Sequence, residues 1–477
     1  MRKLVCAALC LLVAATVWAG PQAEQQAGAA QIKEIDIVLD RILMPEDGLD
    51  QWVAEYEKLF GIKLNVTKPP HNQYSQILGT MFAANDLPDI CEIQTADYVP
   101  YAKSGKLVPL EDFIKASPVV KSIDSQYYEA YRLKDGHIYG FPTYKGGGCV
   151  GYIRKDWLDK LGLKVPTTWD EFVTVLKAFT FNDPDGDGQD DTVGMTLPFQ
   201  VPVNEFDYYN RFIMQGAYFD FQKKNGKWVD GFTQPEMKAA LQRFQQLYSE
   251  GLLDREFFTN KTSTARTKIY EGQAGFMEYW AGTWGTRMDA SAKSSNPNAE
   301  VIAVPPIKGA HYVSRVGPVF GITTAAKNPK AVFDAIIGTM WDKGKGQMLW
   351  TFGVEGLHYK TVGENKIEML PQPSNPSTPM QKSFIDPHLT LNDWALPIEF
   401  EEKMKLSVDI HNTYAVQLGI PEGGDLFSRY VGEIRTLKQE IFSKIVTGEY
   451  SVDEGLKMYQ QKAKELHIDE VLAELNG

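Results

Sequence analysis

Four cysteines in 477 residues are too few for a disulfide scaffold. Two of them, Cys6 and Cys10, fall inside an apolar N-terminal run. That leaves Cys91 and Cys149. Spacing alone does not give their separation, so one bridge is open to them, but two buried free thiols are the expected state. The seven histidines are scattered without metal-site spacing. Gly-x-Ser-x-Gly, His-Glu-x-x-His and Walker patterns are all missing, which removes the commonest hydrolase, metalloprotease and nucleotide-binding signatures. Beyond residue 19 no run is long and apolar enough to cross a membrane, and no repeat or low-complexity tract occurs. Positive charge is also in deficit, with 49 basic against 61 acidic residues. That balance disfavours nucleic acid and anionic membrane surfaces as partners.

What is present begins with a basic start, Met1-Arg-Lys3, followed by the uncharged run Leu4 to Ala19. This reads as a secretory signal peptide over residues 1–19, with Val17 and Ala19 before the cut, leading into a small, polar, flexible leader over 20–31. The mature protein is expected to be exported, periplasmic or extracellular. Lipid anchoring is not expected, because Gly20-Pro21 stands where a lipoprotein signal needs cysteine. Without Arg2 and Lys3 the mature chain carries 47 basic and 61 acidic residues, net −14. Its length implies more than one domain.

The densest chemistry lies in Asp183-Pro-Asp-Gly-Asp-Gly-Gln-Asp-Asp-Thr-Val-Gly194. Alternating carboxylates at Asp183, Asp185 and Asp187, a turn glycine at Gly188 and a backbone carbonyl at Gln189 reproduce the first half of an EF-hand loop. Position twelve is Gly194 instead of Glu, so Asp191 is the expected closing carboxylate. The occupant this chemistry suits is Ca2+ in a structural role; a solvated acidic turn is the alternative.

From Ile32 onward strands and helices alternate, the pattern of an α/β protein with parallel sheets. Ile35–Leu39, Lys63–Thr67 and residues from Pro88 to Ile93 read as strands. Between them, Leu49, Trp52, Val53, Tyr56, Leu59 and Phe60 form one helical face stopped by Gly61. Thr168-Trp-Asp-Glu171 and Thr233-Gln-Pro-Glu236 read as capping boxes, and Asn328-Pro329 as a further helix start. Residues 398–418, 425–447 and 452–475 read as wholly helical.

In order and spacing, Asn85-Asp-Leu-Pro-Asp-Ile90, Gly105-Lys-Leu-Val-Pro-Leu110, Gly136-His-Ile-Tyr-Gly-Phe-Pro142, Tyr152-Ile-Arg-Lys-Asp156, Pro166-Thr-Thr-Trp-Asp-Glu-Phe172 and Gln273-Ala-Gly-Phe-Met277 with Trp280 and Trp284 carry a resemblance. The chain resembles the extracellular solute-binding proteins of ABC importers, in the maltose-binding-like family 1. The acidic loop and Gly353-Val-Glu-Gly-Leu-His-Tyr359 point to its lipoprotein-type oligosaccharide binders. The resemblance implies two α/β lobes of the periplasmic-binding-protein type, joined by hinge strands around a cleft, with a helical C-terminal region. It places residues 32–145 with 314–375 in one lobe and 146–313 with 376–477 in the other. Crossings are expected near Lys145–Gly148, Val313–Gly317 and between Leu370 and Thr378. Gly146–Gly148 suits a hinge, and it lacks the Lys-Ser/Thr and helix start of a phosphate loop.

Ligands in open α/β sheets sit at the carboxyl ends of strands. That rule selects Arg41, the turn Gln94, Thr95 and Asp97, the hinge pair Tyr144 and Lys145, and the stretch Glu278, Tyr279, Trp280 and Trp284. Aromatic faces stack on sugar C–H surfaces while polar groups meet the hydroxyls. By resemblance, Trp284 is the cleft-stacking tryptophan, and Asn204 and Glu205 stand where the family adds a second-lobe polar pair; Trp394 is a further candidate. Trp341, Trp350 and Trp228 are expected to pack, Trp157 and Trp169 to be core, and His71 to be a surface histidine. The function implied is oligosaccharide binding for an ABC permease by a non-enzymatic monomer. Rival readings are a secreted calcium-stabilised glycosidase or lyase, and a peptide or metal receptor on the same fold. A glycosidase needs two positioned carboxylates, which 61 acids supply by chance.

Overall fold

The computed structural model describes residues 32–477 apart from 124, 144–146, 365 and 381–400. The signal peptide and leader, and the candidates Tyr144, Lys145 and Trp394, lie outside the described residues. Two sheets organise the rest. The first contains β1 (Glu34–Val38), β2 (Lys63–Thr67), β3 (Ile90–Ile93) and β4 (Phe141–Pro142). The second contains β5 (Cys149–Arg154), β6 (Val193–Met195), β7 (Ala274–Trp280) and β8 (Val301–Val304). The chain then returns to the first sheet as β9 (Val319–Ile322). Strand orders are β2-β1-β3-β9-β4 and β8-β5-β7-β6.

The sheets are mixed where parallel pairing was expected. β2, β1 and β3 are parallel, but β9 runs antiparallel to β3 and β4. In the second sheet β5 is antiparallel to β7 and β8, and β6 is parallel to β7. The reason is topological. A strand arriving from the other lobe enters its sheet at the hinge edge and runs away from it, whereas the lobe's own strands run toward that edge. Val319, the first residue of β9, accordingly pairs with Ile93, the last of β3. Cys149, the first of β5, pairs with Trp280, the last of β7. The carboxyl ends of β3 and β7 therefore both face the crossings.

Each face of the first sheet has its own core. Ile35, Ile37 and Ile90 point into one cluster with Trp52, Tyr56, Trp341 and Trp350, while Val38, Cys91 and Ile93 point into another with Tyr74, Leu78 and Tyr98. The helix Leu49–Phe60 buries Leu49, Trp52 and Tyr56 as its periodicity requires, and Gly61 ends it at φ 67°. Its two largest side chains anchor outward polar atoms too: Trp52 Nε1 donates to Leu349 O at 2.9 Å and Tyr56 OH to Ala335 O at 2.6 Å. Each such buried aromatic is worth about 1.5–3 kcal/mol of burial.

The second lobe has one core, in which Phe199, Phe206, Phe244 and Trp228 meet Ile434, Leu437, Ile441 and Phe442 of the helix Asp425–Val446. The C-terminal helices pack into this core. Cys91 and Cys149 are buried free thiols in different lobes' cores.

Several boundaries differ from expectation. Met380 packs in the first-lobe core, so the chain has not left that lobe at 376, nor between 370 and 378. Gln372 Nε2 and Ser374 N both bond the carboxylate of Asp47, which ties this hairpin to the first lobe. Thr168 and Glu171 form the expected capping box. The helix Pro235–Ser249 does not use Thr233, whose hydroxyl donates instead to Asp230 O, while Glu236 pairs with Lys224. The last helical stretch is broken at His467, at φ 57°, into Val452–Glu465 and Ile468–Asn476. The stretch expected to be helical to 418 ends at Tyr414 and continues as the strand Ala415–Gln417, paired with Tyr312–Ser314.

Candidate functional site

Two crossings lie side by side. Arg315 N donates to Gly147 O at 2.8 Å, and Thr143 N donates to Pro318 O at 3.1 Å. They approach closely at Gly148, where a Cβ would stand 2.0 Å from Val313 O. Only glycine permits that contact. The expected hinge glycine is therefore also a packing requirement.

The first-lobe residues at this edge are bound into one network. Arg41 Nε meets Glu92 Oε1 at 2.7 Å, and its Nη2 donates to Thr143 Oγ1 at 2.6 Å. Glu92 Oε2 accepts from the backbone N–H of Asp40 and Arg41. Gln94 Nε2 donates to Asp40 Oδ2 at 2.9 Å, and Thr95 Oγ1 to Val316 O at 2.8 Å. Arg41, Gln94 and Thr95 thus lie where the strand-end rule places them. Asp97, in the first turn of the helix Thr95–Lys103, is half-buried with one oxygen unpartnered, and burial pushes its pKa up. His71 is highly exposed and bonds Asp40, as a surface histidine would.

On the second-lobe side the end of β7 and the helix Thr283–Ser295 make an aromatic shelf. The Trp280 ring lies 5.6 Å from Tyr208 and 6.2 Å from Tyr209, while Tyr279 meets Trp284 edge to face at 4.8 Å. Arginines cover these rings. Arg315, from the crossing itself, places Cζ 4.5 Å from the Trp280 centroid; Arg266 and Arg287 stand 4.5 and 4.0 Å from that of Trp284. Glu205 is half-buried beside this group. Burial raises its pKa and the Arg315 charge opposes the rise. Asn204 next to it is exposed.

Glu278 is a correction. It is fully buried and faces inward, accepting from Arg211 N at 2.6 Å and Phe212 N at 2.8 Å. It shares a β7 face with Trp280, two residues on, but there the backbone of Arg211 and Phe212 covers it. Burial raises its pKa to about 7 in spite of those two donors. Tyr279 is itself almost buried, its phenol held by Arg266, so it backs the shelf more than it fronts it. Tyr208, Arg266, Arg287 and Arg315 were not singled out from the sequence. Arg315 sits inside the expected crossing Val313–Gly317, and Arg287 is one helical turn past Trp284; both were readable signals. Trp341, Trp350, Trp228 and Trp157 are buried, as expected, and Trp169 packs partly buried against the second-lobe core.

The acidic loop lies elsewhere. It leads into Val193, which pairs with Ala274 at the start of β7. At 3.3 Å per residue that is roughly 20 Å from the Trp280 end. Asp183, Asp185 and Asp187 are exposed, and one carboxylate oxygen from each lies within 4.8 Å of the others. Oxygens around a calcium ion with bonds of roughly 2.3–2.6 Å have that spread. Gly186 and Gly188 adopt φ of 82° and 78°, and both donate backbone N–H to Asp183. Those bonds outweigh partial desolvation and lower the Asp183 pKa. Desolvation and the nearby Asp187 and Asp191 charges raise that of Asp185. Gln189 donates its side-chain Nε2 to Asp187. Asp191 does not join the triad: it lines a hollow with Asp254, Arg255 and Lys268, because the chain is already turning into β6.

The model of the bacterial extracellular solute-binding protein family matches residues 45–336. Lipoprotein LipO of Bacillus subtilis (strain 168) is 26% identical over 369 residues, 74% of this chain and 73% of that protein. The polygalacturonan/rhamnogalacturonan-binding protein YtcQ of the same organism is 27% identical over 66% of this chain and 65% of its own length. Among solved structures, an "HMO binding" ABC-transporter-associated solute-binding protein of Bifidobacterium longum infantis superposes with a TM-score of 0.70 at 18% identity, covering 94% of this chain and 98% of that one. The Streptococcus pneumoniae substrate-binding protein FusA, as an EF-hand mutant with fructo-nystose, gives 0.64 at 19% identity, covering 92% and 97%.

Proposed function

The chain belongs to the bacterial extracellular solute-binding proteins, and on that premise we propose how it works. It is an exported, non-enzymatic binding protein of an ABC importer, and its ligand is an oligosaccharide held between the lobes. The observation that carries this reading is that polar and aromatic groups flank the paired crossings: Arg41 and Gln94 at strand ends of one lobe, Trp280 with Tyr208 in the other. The aromatic shelf suits sugar C–H faces, and the first-lobe amide and guanidinium suit hydroxyls. Relatives named for polygalacturonan and fructooligosaccharide binding support the same class.

Ligand held by both groups favours the closed arrangement, because only closure makes both sets of contacts. The closed form then docks on the permease. The Asp183–Asp187 loop holds calcium as a structural staple in the second lobe, a reading supported by the naming of an EF-hand in a structural neighbour. The experiment is intrinsic tryptophan fluorescence and thermal shift against a glycan panel, with product analysis. One sugar class should raise Tm by mass action and be recovered intact; release of cleavage products would overturn the binding reading.

A further inference from the structure

We infer that the second-lobe shelf reads negative charge, so that the preferred ligand is an oligosaccharide bearing carboxylates, of the uronic acid class. This rests on the oligosaccharide reading above and narrows it. Three guanidiniums lie over the rings at the end of β7 and the start of the helix that follows it. Arg266 lies 4.8 Å from the Tyr279 ring and 4.5 Å from that of Trp284, Arg287 lies 4.0 Å from Trp284, and Arg315 lies 4.5 Å from Trp280.

Five arginines outside the shelf are matched to carboxylates, Arg41 with Glu92, Arg132 with Glu129, Arg154 with Asp156, Arg211 with Asp207 and Arg435 with Asp220, whereas Arg243 donates to backbone carbonyls and Arg255 rests over the Tyr248 ring. Among the described residues neither Arg266 nor Arg287 has such a partner. Arg266 meets only phenols and rings, and its buried Nε has no acceptor. The acids close by are committed. Glu278 accepts from two backbone N–H groups, Asp289 is held by Lys293 and Lys403, and Glu205 lies in the field of Arg315.

A chain with 61 acids leaves two guanidiniums uncompensated on a sugar-type shelf. Chemically, that is a carboxylate receptor: the planar fork matches a carboxylate bidentately, and it does so best while its flat face rests on an aromatic ring. The helix Thr283–Ser295 adds to the field, since it starts at Gly282 with no capping side chain and so presents its positive end beside Trp284. A neutral sugar would have to displace guanidiniums from the ring faces without replacing their charge; a uronate engages them in place.

The test is calorimetric titration of the full chain with two matched pairs, α-1,4-trigalacturonate and a mannuronate trimer, each against its carboxyl-reduced, neutral counterpart. The expected result is that one acidic trimer binds at least tenfold tighter than its reduced form. That gap should narrow several-fold in 0.5 M NaCl and in Arg287→Gln, whose exposed position leaves the fold intact by thermal melt. Equal affinity within both pairs, or preference for the reduced forms, overturns the inference while leaving the oligosaccharide reading standing. Failure of the acidic trimers, the reduced trimers and every neutral glycan of the panel to bind would overturn both.

Discussion

Arg315 and Trp280 are 35 positions apart in sequence, yet the guanidinium carbon of one lies 4.5 Å from the ring centre of the other. Arg315 belongs to the crossing and Trp280 to the last position of β7. The contact therefore links the hinge directly to the surface proposed to hold ligand. Replacing Trp280 with Ala should weaken oligosaccharide binding by about 2 kcal/mol, the scale of a buried aromatic anchor, or roughly thirtyfold in Kd. Titration calorimetry measures this; a loss under threefold would place the ligand elsewhere.

Gly148 sets a second expectation. With Val313 O 2.0 Å from an added Cβ, and His411 Nε2 at 2.7 Å, Gly148→Ala must push the crossings apart. Overpacking of this kind costs about 1–3 kcal/mol. Thermal melts should show a lowered Tm, whereas Gly162→Ala, which meets no atom within 4 Å, adds only backbone strain at its φ of 67° and should cost less.

The acidic loop offers a separable test. Chelation should lower Tm, and calcium should restore it. Asp185→Asn should weaken the calcium response, with the glycan preference unchanged in each case. A shift in glycan preference on chelation would contradict the distance of roughly 20 Å between loop and shelf.

Glu278 predicts a pH dependence whose sign is fixed. Its folded pKa of about 7 lies above the ordinary 4.5, so between those values the folded state keeps a proton that the unfolded state has lost. Stability from this group is present below about pH 4.5 and is lost as pH rises toward 7. The stability difference between wild type and Glu278→Gln, from denaturant melts, should therefore fall across that window and flatten above it. A difference that grows with pH would contradict the assignment.

Local features were legible in the sequence. The face of Leu49–Phe60, its stop at Gly61, the Thr168 capping box and the acidic turn each depend on residues within one or two helical turns. What the sequence could not reveal depends on distant partners. The antiparallel insertion of β9 beside β3 joins positions more than two hundred residues apart, and the retention of Met380 in the first lobe depends on packing. The candidate site divides the same way. Strand ends located Arg41, Gln94 and Trp280, and the resemblance added Trp284. Strand alternation does not separate Glu278 from Trp280; the burial of Glu278 depends on the distant backbone of Arg211 and Phe212. The arginines over Trp284 come from a neighbouring helix and from the turn beyond, and no spacing along the chain announces Arg266.

Small-angle scattering tests the central claim most directly. With the tightest-binding oligosaccharide of the panel at saturation, lobe closure about the Gly147–Arg315 crossing predicts a smaller radius of gyration than in the ligand-free protein. An unchanged radius at a site proven full by calorimetry would contradict it.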